Sequence, residues 1–124
     1  MMNKIMLSIK PEFYGRILSG DKRFEFRRKI FKREVSSVVL YVTSPIKMVM
    51  CEFDVNNIHS NNPEVLWTKF HQYAGIKKGD FDAYFNGLSI GYAIEIGDLR
   101  MYDTPLDIKH FGVRKAPQSY VYIT

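Results

Sequence analysis

Residues 17–28, ILSGDKRFEFRR, constrain the fold more than any other stretch of the chain. A helix end, a glycine stop, a lysine and an alternating strand are packed into twelve residues. Phe13 with Ile17 and Tyr14 with Leu18 are i,i+4 pairs on a helix that Pro11 opens, and Gly20 reads as its left-handed cap. From Arg23 to Arg27 the period changes to two, with Phe24 and Phe26 on one face and Arg23, Glu25 and Arg27 on the other. Strands and short helices therefore mix in this chain, which makes it an α+β domain.

The same stretch opens a basic run. Residues 22–33 hold seven of the eighteen Lys and Arg and one acid, Glu25, a local charge of +6 in a chain whose net charge is +5. The remainder is slightly acidic. Charge concentrated in one strand and its following loop marks a site for an anionic partner.

Length and composition indicate one domain over residues 1–124, with 46% hydrophobic residues and a core rich in Phe and Tyr. No apolar run approaches a membrane span. The N-terminus, MMNKIMLSIK, reads as a first strand rather than a signal peptide, and Cys51 is the one cysteine, so the expected compartment is the reducing cytoplasm.

Further strands are expected at residues 5–9, 38–42 and 48–55, the last with Val49, Cys51, Phe53 and Val55 on one face. Ile90, Tyr92, Ile94 and Ile96 alternate as another, and residues 99–102 and 119–123 make two more. Thr43-Ser44-Pro45 is a turn. Asn62 caps a helix carrying Leu66, Phe70 and Tyr73, which Gly75 ends, and a second short helix spans residues 80–85 and stops near Gly87. Six or seven short strands with two or three helices make a small closed or nearly closed barrel.

The order of elements and the spacing Gly20-x-Lys22-x-x-Glu25-x-Arg27 resemble the ASCH domains of the PUA-like superfamily. The likeness extends to a subgroup of predicted regulators with a PUA-like domain in LSIKPEFYGRILSG, FRRKIFKR, the TSP turn and the ending APQSYVYI, so it spans nearly the whole chain. It implies a PUA-like β-barrel with a cleft lined by the Lys, Glu and Arg of the motif, and RNA or a nucleotide-like small molecule as the partner. Some family members are amidohydrolases on N4-acetylcytidine, and others are ribonucleases.

Lys22 is either a charge aimed at a phosphate, an amine of lowered pKa, or a solvated turn lysine. Glu25 and Arg27 either order the site and clamp an anion, or form a pair that closes the barrel. Arg28, with Lys29, Lys32 and Arg33, is a candidate for tracking a backbone, against the reading of a solvated basic face. Ser44, Ser119 and Tyr120 are candidates through the resemblance alone. Trp67, Phe70 and Tyr73 read as core. His59, His71 and His110 show no ligand spacing with Cys51, so no metal and no cofactor is expected.

The expected function is a binding domain for RNA or a nucleotide-like ligand, regulatory in role. The alternative is a small hydrolase, an amidohydrolase or a ribonuclease, with Lys22 as its catalytic group. In the amidohydrolases a threonine nucleophile lies three positions after the lysine. Here that position is Glu25, so the nucleophile does not carry over.

Overall fold

The computed structural model describes residues 3–123. Its strands are β1 (Asn3–Ile9), β2 (Phe24–Arg27), β3 (Val35–Val42), β4 (Met48–Asn61), β5 (Gly91–Leu106) and β6 (Tyr120–Tyr122), and its helices α1 (Pro11–Ser19), α2 (Pro63–Phe70) and α3 (Lys78–Tyr84). They build one mixed sheet in the order β2-β5-β4-β3-β1-β6. Only β1 and β3 run parallel; every other pairing is antiparallel. A parallel pair needs a crossover, and α1, β2 and the basic loop supply it. The chain thus carries β2 to one edge of the sheet before returning to its middle. The sheet curls into a half-barrel of the PUA-like kind, with its two edge strands, β2 and β6, on either side of an open seam.

Both faces of the sheet are covered. Ile5, Leu7, Val38, Leu40, Phe53 and Ile94 form one core with Tyr14 and Ile17 of α1. Phe26, Leu66, Phe81, Phe85 and Ala93 form a second core beneath α2 and α3. Met6, Val39, Tyr41, Val49 and Val113 form a third under the segment that follows β5. Ala93 and Ile94, neighbours on β5, are both fully buried because they serve different cores.

The helix starts and stops follow local chemistry. Gly20 caps α1 at φ +86°, donating its N–H to the Ile17 carbonyl. The Asn62 side chain accepts from the Glu64 N–H at the start of α2.

Several strand expectations need correction. Residues 90–96 and 99–102 belong to one sixteen-residue strand, β5. Gly97 does not interrupt it. A Cβ there would collide with the Asn56 side chain and lie 2.8 Å from the Asp54 carbonyl, so the glycine admits the irregular stretch of β4 opposite it. Ile90 lies outside the strand and is exposed. Val49 does not share a face with Cys51 and Phe53: the register shifts by one residue at Met50, sending Val49 to the third core. Gly75 does not end α2, which stops at Phe70 and tightens into a 3-10 turn, His71–Tyr73.

Candidate functional site

The site lies on the seam, and its residues come from both sides of it. Lys22 sits between α1 and β2. Its N–H donates to the Arg16 carbonyl at 2.9 Å, and it forms an isolated bridge with Ala74. The side chain is 3% exposed. Its Nζ donates to the Ala74 carbonyl at 2.9 Å, lies 3.5 Å from Glu25 Oε1, and is flanked by the rings of Phe13 and Phe26 at 5.6 and 5.1 Å. Burial pushes the Lys22 ammonium below its ordinary value of 10.5, and the nearby Glu25 carboxylate only partly opposes this.

Glu25 is also buried. Its Oε2 accepts from the Arg27 guanidinium at 2.8 Å. Arg27 donates in addition to the Ser8 carbonyl of β1 at 3.1 Å and to the Ser119 hydroxyl at 3.3 Å, just before β6. One side chain of the β2 edge therefore spans to the β1–β6 edge where no backbone pairing closes the sheet. Arg27 thus ties the seam and also lines its cleft. Its Nε is buried and has no hydrogen-bond partner among the described residues, so the guanidinium keeps an unused donor there.

Two cavities meet at Arg27 and Tyr84, which line both. The smaller, about 230 Å³, is bounded by Phe13, Lys22, Glu25 and Phe81. The larger, about 580 Å³, is bounded by Arg28, Lys29, Asn86, Leu88, Gln118 and Ser119. The first is largely apolar with an ionic floor. The second has three cations and no carboxylate on its walls.

The structure therefore places Lys22, Glu25 and Arg27 on the smaller cavity and Arg27, Arg28 and Ser119 on the larger one that adjoins it. It does not bring Ser44 there. Ser44 is exposed in the turn after β3 and lines neither cavity. The reason is topological: β3 lies on the side of β1 away from the seam, and Thr43 still donates to the Ile9 carbonyl, holding the turn on that side. Tyr120 packs against the first core, edge-on to Phe31.

The basic loop is anchored rather than free. Phe31 is buried in the first core and Ile30 packs against it, while Arg28, Lys29, Lys32 and Arg33 are exposed. The Tyr122 oxygen accepts from the N–H groups of Lys32 and Arg33 at 3.1 and 3.2 Å, which lowers its pKa. Three arginines of the run lie over tyrosine rings: Arg23 on Tyr73, Arg28 on Tyr84 and Arg33 on Tyr122, at 4.1, 4.8 and 4.3 Å.

Trp67 and Phe70 pack in the helical layer, Trp67 against Phe81, while Tyr73 is exposed. His59 meets Glu95 at 2.8 Å, and no metal-binding group of three or more His, Cys, Asp or Glu occurs among the described residues. The Cys51 thiol is buried and its pKa is pushed up to about 12, so it stays protonated and inert.

Sequence reasoning missed the backbone of the site. The Ala74 and Ser8 carbonyls carry no side-chain signature. Gly75 has φ +63°, and a Cβ there would collide with Lys22 Cβ and lie 2.8 Å from its Cγ. That glycine is what lets the 3-10 turn close over the lysine.

A curled α+β half-barrel with a charged cleft on its seam defines a PUA-like domain. No family model matches the chain. Its likeness to solved structures is high: the crystal structure of the ASCH protein from Zymomonas mobilis superposes with a TM-score of 0.87 at 25% identity, over 98% of this chain and 87% of that one. A mutant form of the same protein gives the same TM-score and identity, over 98% and 90%. An ASCH domain-containing ribonuclease of Zymomonas mobilis is 30% identical over 94 residues, 75% of this chain and 64% of its own length. The chain belongs to the ASCH domain proteins. Large ribosomal subunit protein uL22 of Ureaplasma parvum is 29% identical over 121 residues, and ATP synthase subunit alpha of the same organism 28% over 120. Each covers 96% of this chain, which spans only 39% and 15% of those two proteins.

Proposed function

We propose that this chain binds single-stranded RNA along the seam cleft, as a regulatory module of the reducing cytoplasm. The observation that carries this reading is the continuity of the two cavities at Arg27: an apolar recess with Lys22 and Glu25 at its floor opens into a groove walled by Arg27, Arg28 and Lys29. Cations on a groove hold a phosphate backbone, and an apolar recess holds what the backbone carries. The relative named a ribonuclease supports an RNA partner for the family.

Salt dependence tests the reading. Titrated by anisotropy against a fluorescein-labelled oligoribonucleotide, the protein binds more weakly as salt rises. With three groove cations each meeting a phosphate, log K against log salt has a slope of about −2. Absence of binding at low salt, or a slope near zero, contradicts the reading.

Strand cleavage is the second reading, favoured by Lys22. A buried lysine of lowered pKa on a cleft wall is suited to accept a proton, and Ser119 is a hydroxyl on the same seam. Running the same mixtures on a denaturing gel distinguishes the two. Intact RNA after prolonged incubation with excess protein leaves binding alone; product that disappears in Lys22→Met establishes cleavage.

A further inference from the structure

The larger cavity holds groups that phosphate binding leaves unused. Asn86 and Gln118 both line it, both are exposed, and neither side-chain amide makes a hydrogen bond within the described residues. Leu88, on the same wall, is 41% exposed. An amide offers a donor and an acceptor in one plane, the combination that matches a base edge, and an exposed leucine gives a base face something apolar to rest on.

These groups are held in place. Asn86 and Leu88 flank Gly87, which turns at φ +81°, and their N–H groups donate to the Ala83 and Phe85 carbonyls at 3.3 and 3.0 Å. On the opposite wall Gln118 is fixed from both neighbours. The Ser8 hydroxyl donates to the Pro117 carbonyl at 2.6 Å, and the Ser8 N–H donates to the Ser119 carbonyl at 3.1 Å. The backbone that carries both side chains is thus fixed, and binding a base costs only the rotamer freedom of the two exposed amides.

We propose that this cavity is a second-nucleotide subsite, in which Asn86 and Gln118 read a base adjacent to the one held in the smaller cavity, with Arg28 and Lys29 on the phosphate between them. The inference rests on the RNA reading and sharpens it: the ligand is an oligonucleotide step, and a lone nucleoside fills only half of the site. Asn86 and Gln118 are then specificity-determining residues. An acidic peptide would also meet the cations, and the competition below tells it from an oligonucleotide.

Competition tests this. Unlabelled mononucleotides, dinucleotides of each base combination and a polyglutamate peptide are set against a labelled oligoribonucleotide, with wild type and with Asn86→Ala/Gln118→Ala. In wild type, dinucleotides displace the probe about tenfold better than mononucleotides, and one of the two base positions shows a preference of about fivefold or more. In the double variant, affinity falls by roughly threefold and that preference collapses, while the melting temperature holds because both residues are exposed. Equal displacement by mono- and dinucleotides, an unchanged preference in the variant, or displacement by polyglutamate as effective as by dinucleotides overturns the subsite. A probe that fails to bind wild type at all removes the RNA reading, and the subsite with it.

Discussion

Lys22→Met is expected to abolish most of the proposed RNA binding and to leave the fold intact. Methionine fills nearly the same volume between Phe13, Phe26 and the Ala74 carbonyl and needs no proton. Removing one member of a buried ion pair is ordinarily severe because the other is left alone. Here Glu25 keeps Arg27 at 2.8 Å, so no carboxylate is stranded. The losses are the hydrogen bond to the Ala74 carbonyl and the 3.5 Å ion pair with Glu25, and the gain is relief from burying an ammonium. Stability is expected to stay within about 1 kcal/mol of wild type. Affinity for RNA is expected to fall by roughly tenfold or more, because the floor of the cleft loses its cation.

The pH dependence of stability adds a second readout. Lys22 has a folded-state pKa below its ordinary 10.5, so in the window between those two values the unfolded chain binds more protons than the folded one. Stability from this group therefore rises with pH across that window and levels off above 10.5. Denaturant titrations of wild type and Lys22→Met as a function of pH should converge toward the alkaline side, with wild type the one that gains. Parallel curves would mean that Lys22 is not the buried cation described here.

Gly75→Ala is expected to be the most damaging small substitution in the chain. Two costs coincide there. The left-handed backbone at φ +63° disfavours any side chain, and the new methyl would meet Lys22 Cβ and Cγ with its Cα only 3.1 Å away. Together they should cost about 2–4 kcal/mol, or roughly 10 °C in melting temperature. Two other glycines separate the terms. Gly20 has φ +86° but open space around it, so Gly20→Ala should cost about 1 kcal/mol from the backbone alone. Gly79 lies in α3 with no neighbour in reach and no positive φ, so Gly79→Ala should be neutral or stabilising by up to about 1 kcal/mol. If Gly75→Ala melts with Gly20→Ala, close packing on Lys22 is not what its glycine serves.

What was legible in the sequence was local. The glycine stop of α1, the alternation in β2, the Asn62 cap and the ion cluster of Lys22, Glu25 and Arg27 all follow from residues within a few positions of one another. The misreadings involve partners far along the chain. Gly97 looks like a break between strands until the irregular stretch of β4 is laid against it. Met50 shifts the register of β4 against β3, and nothing in the run Val49–Cys51–Phe53 announces it. Ser44 and Ser119 are equally plausible as strand-end hydroxyls. The strand order decides which of them reaches the seam: β6 flanks it, and β1 separates β6 from β3. The carbonyls of Ala74 and Ser8 leave no trace in sequence, because any residue could supply them.

The most direct test of the account is where RNA touches the protein. In a nitrogen-15 correlation spectrum, adding a short oligoribonucleotide should move the amides of residues 22 and 25–29 together with those of 84–88 and 118–119, which are remote in sequence and share only the seam. Shifts centred instead on the ion cluster of Lys4, Glu52, Asp54 and Arg100, away from both cavities, would contradict it.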